Sequence, residues 1–150
     1  LLLEALRRGR IAPDRLILVN ATPRFLEAPD WPGVPESEWK GLRRAARRNT
    51  GAAVTAFRRR FDLPDVVDAS ADPADVSGLD WLAQLDLRSL LADVTTPVEC
   101  WLAPGDPLVP VDWPSRLALS PQVSCHRLSL PGHASWWREP AELAARLSAG

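Results

Sequence analysis

The sequence predicts an α/β fold, a small parallel sheet with flanking helices and a helical insertion. Three observations predict it. Strand-length segments occur at 15–20 (RLILVN), a continuous apolar run, at 98–103 (VECWLA), a short apolar run, and at 123–130 (VSCHRLSL). Stretches with helical spacing separate these runs, so consecutive strands need crossover connections and pair in parallel. Directly after the second and third runs stand Asp106 and His133, each in a Pro/Gly turn. The carboxyl ends of parallel strands are where such sheets collect ligands and catalytic groups.

Taken in order, residues 1–8 (LLLEALRR) read as the end of an amphipathic helix, with basic residues in the last turn and Gly9 as its stop. A helix beginning without a cap implies sequence before Leu1. The run 15–20 is uninterrupted rather than alternating, the signature of a strand covered on both faces. Residues 26–35 (LEAPDWPGVP) form a loop. Two helices follow, the first with Trp39, Leu42 and Ala46 on its buried side, the second with Val54, Phe57 and Phe61, broken by Asn49-Thr50-Gly51. Residues 62–75 are acidic and rich in turn formers, with Asp72-Pro73 as a helix cap. A helix through Trp81 and Leu85 and a short one around 88–92 lead to the second strand. A short helix is expected over 114–119 before the third strand. After the Pro131-Gly132-His133 loop, Glu139-Pro140 opens a last helix carrying Leu143 and Leu147.

With 150 residues and 46% hydrophobic composition, the chain can bury a core. No apolar run approaches the roughly 18 residues of a membrane span, and no signal peptide is visible. The net charge of −1 gives no overall preference for nucleic acid. The charge is uneven, however: residues 43–60 hold seven arginines and no acid. Two cysteines and two histidines match no zinc spacing. Cys100 and Cys125 read as two buried thiols in a reducing, cytoplasmic setting. Cys100 lies mid-strand, where nothing activates it as a nucleophile. His126 reads as a strand residue without a chemical role.

An Asp and a His on neighbouring strand ends can form an acid–imidazole pair. The carboxylate fixes the ring tautomer and stabilises the imidazolium, and the other ring nitrogen takes a proton from a nucleophile. The order Asp then His is that of the α/β-hydrolases. The stretches DLRSLLADVTTPVECWLAPGDPLVP and LSLPGHASWWREPAELAARL resemble the C-terminal portion of that superfamily. LILVNATPRF, DWPGVPESEWKGL and HASWWREPAEL are similar to a narrower branch of carboxylesterases in biotin synthesis, which demethylate carrier-bound acyl chains.

The resemblance implies that 1–25 and 86–150 form part of the hydrolase core, with 26–85 as a helical cap over the site. It implies Asp106 as triad acid, His133 as general base, and Trp39 and Phe57 along an acyl pocket. It implies no cofactor and no metal. It implies acyl carrier protein as a partner, and a basic cap (Arg43, Arg44, Arg47, Arg48, Arg58, Arg59, Arg60) would steer that acidic protein. The same arginines also read as a solvated face against the acidic segment at 62–75. One departure stands out: no Gly-X-Ser-X-Gly pentad occurs in these 150 residues. Without that nucleophile the chain by itself is expected to be inactive. The other readings are a small-ester or carbon–carbon hydrolase of the same superfamily, and a non-catalytic fragment that docks an acidic protein.

Overall fold

A computed structural model describes residues 2–63, 76–138 and 140–148. The first helix, α1 (Leu2–Arg7), ends at Gly9, whose φ of +63° is one that glycine adopts without strain. There the N–H of Arg10 reaches the carbonyl of Ala5 and that of Gly9 the carbonyl of Leu6, satisfying the last helical carbonyls. Three strands follow along the chain, β1 (Leu16–Val19), β2 (Val98–Leu102) and β3 (Val123–Arg127). They pair in parallel in the order β1-β2-β3, with Val19 opposite Trp101 and Cys100 opposite Cys125.

The central strand is the most deeply covered. Val98, Cys100 and Leu102 face a core built with Leu16, Leu18, Leu91 and Trp113. On the opposite face Trp101 packs with Ala103, Leu128, Ile17 and Val19. By contrast β3 lies at the edge, and Ser124, Cys125, His126 and Arg127 are exposed. The expectation of two buried thiols is therefore corrected: Cys100 is buried and Cys125 is exposed. Hydrogen bonding to Cys125 and burial both raise the Cys100 thiol pKa, while the same bond lowers that of Cys125. His126 stacks on Trp101 at 4.2 Å and covers that ring from solvent.

Between β1 and β2 lie α2 (Glu36–Arg48), α3 (Thr50–Arg60), α4 (Ser77–Gln84) and α5 (Leu90–Asp93). The break between α2 and α3 is narrower than expected, because Asn49 caps α3 by accepting the N–H of Ala52 at 2.9 Å. Ala46 and Ala53 form the small buried contact of this helix pair with Val76. The proposed cap at Asp72-Pro73 lies outside the described residues. At the two ends of the insertion the N–H of Leu87 donates to the Pro23 carbonyl at 2.9 Å. Arg24 reaches Asp86 at 2.7 Å alongside it. Arg88 and Arg24 together hold the Asp86 carboxyl at a pKa of about 2.

Three C-terminal elements depart from expectation. The helix expected over 114–119 is a single 3₁₀ turn, Trp113–Arg116, because Pro114 suits a helix start and too few residues follow to propagate one. The third strand ends at Arg127 rather than Leu130. Leu128 makes one last bond to the Leu102 carbonyl and then turns into the core. A short helix, α6 (Ser135–Arg138), precedes α7 (Pro140–Ser148), in a stretch for which the sequence suggested no element. Among the described residues no helix is long and apolar enough to cross a membrane.

Candidate active site

Beyond β2 the chain turns at Gly105, whose φ is +65°, and enters Asp106-Pro107-Leu108-Val109-Pro110. The Asp106 side chain is fully buried. Its Oδ1 accepts the N–H of Leu108 at 2.8 Å and that of Val109 at 3.1 Å. Pro107 and Pro110 fix φ on both sides of these two donors, which stiffens the turn that offers them. With Oδ1 so occupied, Oδ2 faces Nδ1 of His133 at 2.8 Å, its partner among the described residues. A buried carboxylate needs this full set of partners, since its desolvation is otherwise very costly.

His133 follows Gly132, whose φ of +92° makes the turn after β3. The N–H of Gly132 donates to the Pro104 carbonyl at 2.9 Å and ties the acid loop to the histidine loop. The ring is about one quarter exposed, at 25%. Its edge meets Phe61 at a centroid distance of 5.7 Å, and Phe61 packs on Phe57 at 4.6 Å. With Nδ1 bound to Asp106, Nε2 is the nitrogen left for an incoming proton.

A cavity of about 420 Å³ lies next to the pair's neighbours, Phe61 against the His133 ring and Leu108 in the acid loop, although neither Asp106 nor His133 lines it. Phe25, Val34, Trp39, Leu42, Phe57, Phe61 and Leu108 give it an apolar wall. Trp39 and Phe57, expected along an acyl pocket, both line it. Trp39 is held by donating Nε1–H to the Leu79 carbonyl at 3.1 Å. The polar residues on the wall are Glu38 and Arg60, paired with each other at 2.5 Å.

The structure separates the seven arginines into distinct settings. Arg43 forms a two-pronged pair with Asp80, Nη2 to Oδ2 being 2.9 Å, and lies over the Trp39 ring. Hydrogen bonding to Asp80 raises the Arg43 pKa and lowers that of Asp80. Arg60 is taken up by Glu38 and the Phe61 ring. Arg44, Arg47 and Arg48 project from α2 into solvent. On α3, Arg59 is exposed and Arg58 half-buried. Of the acidic segment 62–75 only residues 62 and 63 are described, and there Asp62 faces Arg138 at 3.9 Å rather than an arginine of α2 or α3.

One residue that sequence reasoning passed over touches the site. Asn20, buried at the end of β1, donates from Nδ2 to the His133 carbonyl at 2.7 Å. Its one visible signal was an asparagine closing an apolar strand.

Acid and imidazole thus stand on successive strand ends of a parallel sheet, and this arrangement matches part of an α/β-hydrolase fold. No family model matches the chain. The pimeloyl-[acyl-carrier protein] methyl ester esterase of Methylococcus capsulatus is 29% identical over 161 residues, an alignment that takes in 97% of this chain. The chain spans 63% of the length of that curated relative. Among solved structures, an esterase from Exiguobacterium antarcticum superposes with a TM-score of 0.77 at 20% identity, covering 99% of this chain and 61% of its own. A thermophilic esterase from Thermogutta terrifontis gives 0.69 at 18% identity, covering 99% and 59% respectively. These likenesses bear out the fold and the superfamily resemblance.

Proposed function

We propose that these residues supply the general base, the acid and the cap of a serine carboxylesterase acting on the methyl ester of a carrier-bound acyl chain. The observation that carries this reading is the His133–Asp106 pair, 2.8 Å apart, which Phe61 and Leu108 connect to an apolar cavity of about 420 Å³. Residues 26–85 serve as the cap, and its cavity takes the acyl chain against Trp39 and Phe57. The relative's printed name supplies the ester class.

In this reading a serine outside residues 1–150 attacks the ester carbonyl, and Nε2 of His133 takes its hydroxyl proton. The imidazolium formed is held by Asp106 through Nδ1. It returns the proton to the departing methanol. His133 next takes a proton from water, which attacks the acyl-enzyme, and then gives that proton to the serine. Residues 1–150 alone hydrolyse no ester, since the pair has no nucleophile to activate. The two free thiols suit a cytoplasmic setting.

The finer part of the proposal is the carrier protein. Among the described residues no acid forms an ion pair with Arg44, Arg47 or Arg48 as Asp80 does with Arg43, although Arg47 lies close enough to Asp80 to help lower its carboxyl pKa. The test uses the polypeptide that joins these residues to whatever coding sequence precedes Leu1. Changing Arg44, Arg47 and Arg48 to Glu is expected to lower kcat/KM on a methyl ester linked to acyl carrier protein by roughly tenfold or more, and most strongly at low salt. The rate on the free methyl ester should stay the same. Equal loss on both substrates, or on neither, rejects the carrier assignment and leaves a small-ester hydrolase. Carrier binding with no hydrolysis of either ester favours a non-catalytic docking module.

A further inference from the structure

We propose that Asn20 is a positioning residue that fixes the height and orientation of His133 by holding its backbone from beneath. The inference adds to the proposed function, and it rests on that reading only for the importance of His133.

Asn20 is 5% exposed and closes β1. Its backbone N–H completes the sheet ladder by donating to the Trp101 carbonyl at 2.8 Å. At this residue the chain turns to φ +45°. Asparagine tolerates that left-handed conformation better than other residues with a side chain. The turn leaves the side chain to cross the ends of β2, its neighbour, and β3, the next strand over. Oδ1 accepts the N–H of Ala103 at 2.8 Å, the first residue beyond β2. Nδ2 donates to the carbonyl of His133 at 2.7 Å, with Gly132 O and Ser135 Oγ each at 3.4 Å. The amide cannot be turned over, because an N–H faces one end and a carbonyl faces the other.

The chemistry is specific to asparagine. Aspartate has no donor for the His133 carbonyl and would place a buried charge against it. Serine is too short to bridge the two loops. The bracket also joins the two halves of the pair. Ala103 leads through Pro104 and Gly105 into Asp106, while the His133 carbonyl sits on the residue whose ring must meet that acid. One side chain thus sets the spacing of both loops, in addition to the bond from Gly132 to Pro104.

The test is nuclear magnetic resonance of the 150-residue chain, which has only two histidines, so His126 serves as an internal reference. In the parent, a coupling through the hydrogen bond from Asn20 Nδ2 to the His133 carbonyl carbon is expected, together with a far-downfield His133 Nδ1–H resonance. Asn20→Gly keeps the backbone comfortable at positive φ and removes the bracket. Asn20→Asp keeps the shape and removes the donor. Both should lose the Nδ1–H resonance and the single ring tautomer, with the His126 ring signals unchanged. Ser135→Ala should retain them. A parent without the coupling overturns the proposal even if neither variant folds. So does an Asn20→Gly chain with the parental His133 signals. Absence of esterase activity touches neither readout, so failure of the proposed function is distinguishable.

Discussion

Asp106→Asn is expected to lower kcat for ester hydrolysis by about 10⁴-fold with little change in KM, the size of effect a wrong histidine tautomer produces. The direction follows from the two N–H groups that hold one side of the carboxylate. Leu108 and Val109 both donate to Oδ1. An asparagine must therefore leave its carbonyl oxygen there, since turning it over would set NH₂ against two donors. Its NH₂ then occupies the place of Oδ2 and donates to Nδ1 of His133. The ring must accept at Nδ1 and carry its proton on Nε2, so it can no longer take one from a nucleophile. The loop itself should survive, because its backbone bonds are all retained. Steady-state kinetics of the ester-hydrolysing polypeptide, with circular dichroism to show an unchanged fold, checks the prediction. A kcat within about threefold of the parent would show that the tautomer argument does not govern this site.

The second large effect is on stability. Gly33→Ala is expected to destabilise the fold by about 3 kcal/mol, at the upper end for overpacking, because its Cβ would run into the facing backbone of residues 25–27. The distances are 2.4 Å to the carbonyl carbon of Leu26, 2.5 Å to the nitrogen of Glu27 and 2.6 Å to the oxygen of Phe25. That backbone cannot easily retreat. Phe25 accepts the N–H of Val34 at 2.9 Å, Glu27 donates to Val34 at 3.0 Å, and Ala28 and Trp31 exchange two bonds. Trp31, 3% exposed, packs on Trp113 and donates its indole N–H to the Arg24 carbonyl at 3.0 Å. Displacing the loop would unseat Trp31 and shift Phe25 and Val34, both on the cavity wall. Gly41 is the natural contrast, since its Cβ would meet nothing within 4 Å. There, inside α2, alanine should stabilise by about 1 kcal/mol through helix propensity. Urea unfolding of the two variants should show opposite shifts. A Gly33→Ala midpoint equal to the parent's would mean that the loop gives way.

The first two strands were legible from their apolar runs, the third from its strand length before a Pro-Gly turn, and the Asp106 and His133 turns because Pro and Gly mark strand ends. What lay hidden was mostly long-range. Cys125 carries the same local pattern as Cys100, and only the strand order decides that one is central and the other at an edge. The pairing of Arg43 with Asp80 spans 37 positions, so α2 alone showed only a run of like charges. Asn20 and His133 are 113 positions apart, and no spacing rule joins an asparagine to a carbonyl at that distance. Leu128 misled for a different reason: its apolar side chain extended the apparent strand, although it is buried after the ladder has ended. The short α6 was missed because its Ser-Trp-Trp-Arg run is too brief to show a period.

The most direct test of His133 as a general base is the rate of methyl ester hydrolysis by the ester-hydrolysing polypeptide that carries these residues, before and after His133→Ala. Removing a triad base is expected to reduce kcat by roughly 10⁴- to 10⁶-fold, with KM little changed and the fold intact. A His133→Ala protein that retains kcat within about tenfold of the parent would contradict the assignment, since even ordinary general-base catalysis contributes more than that.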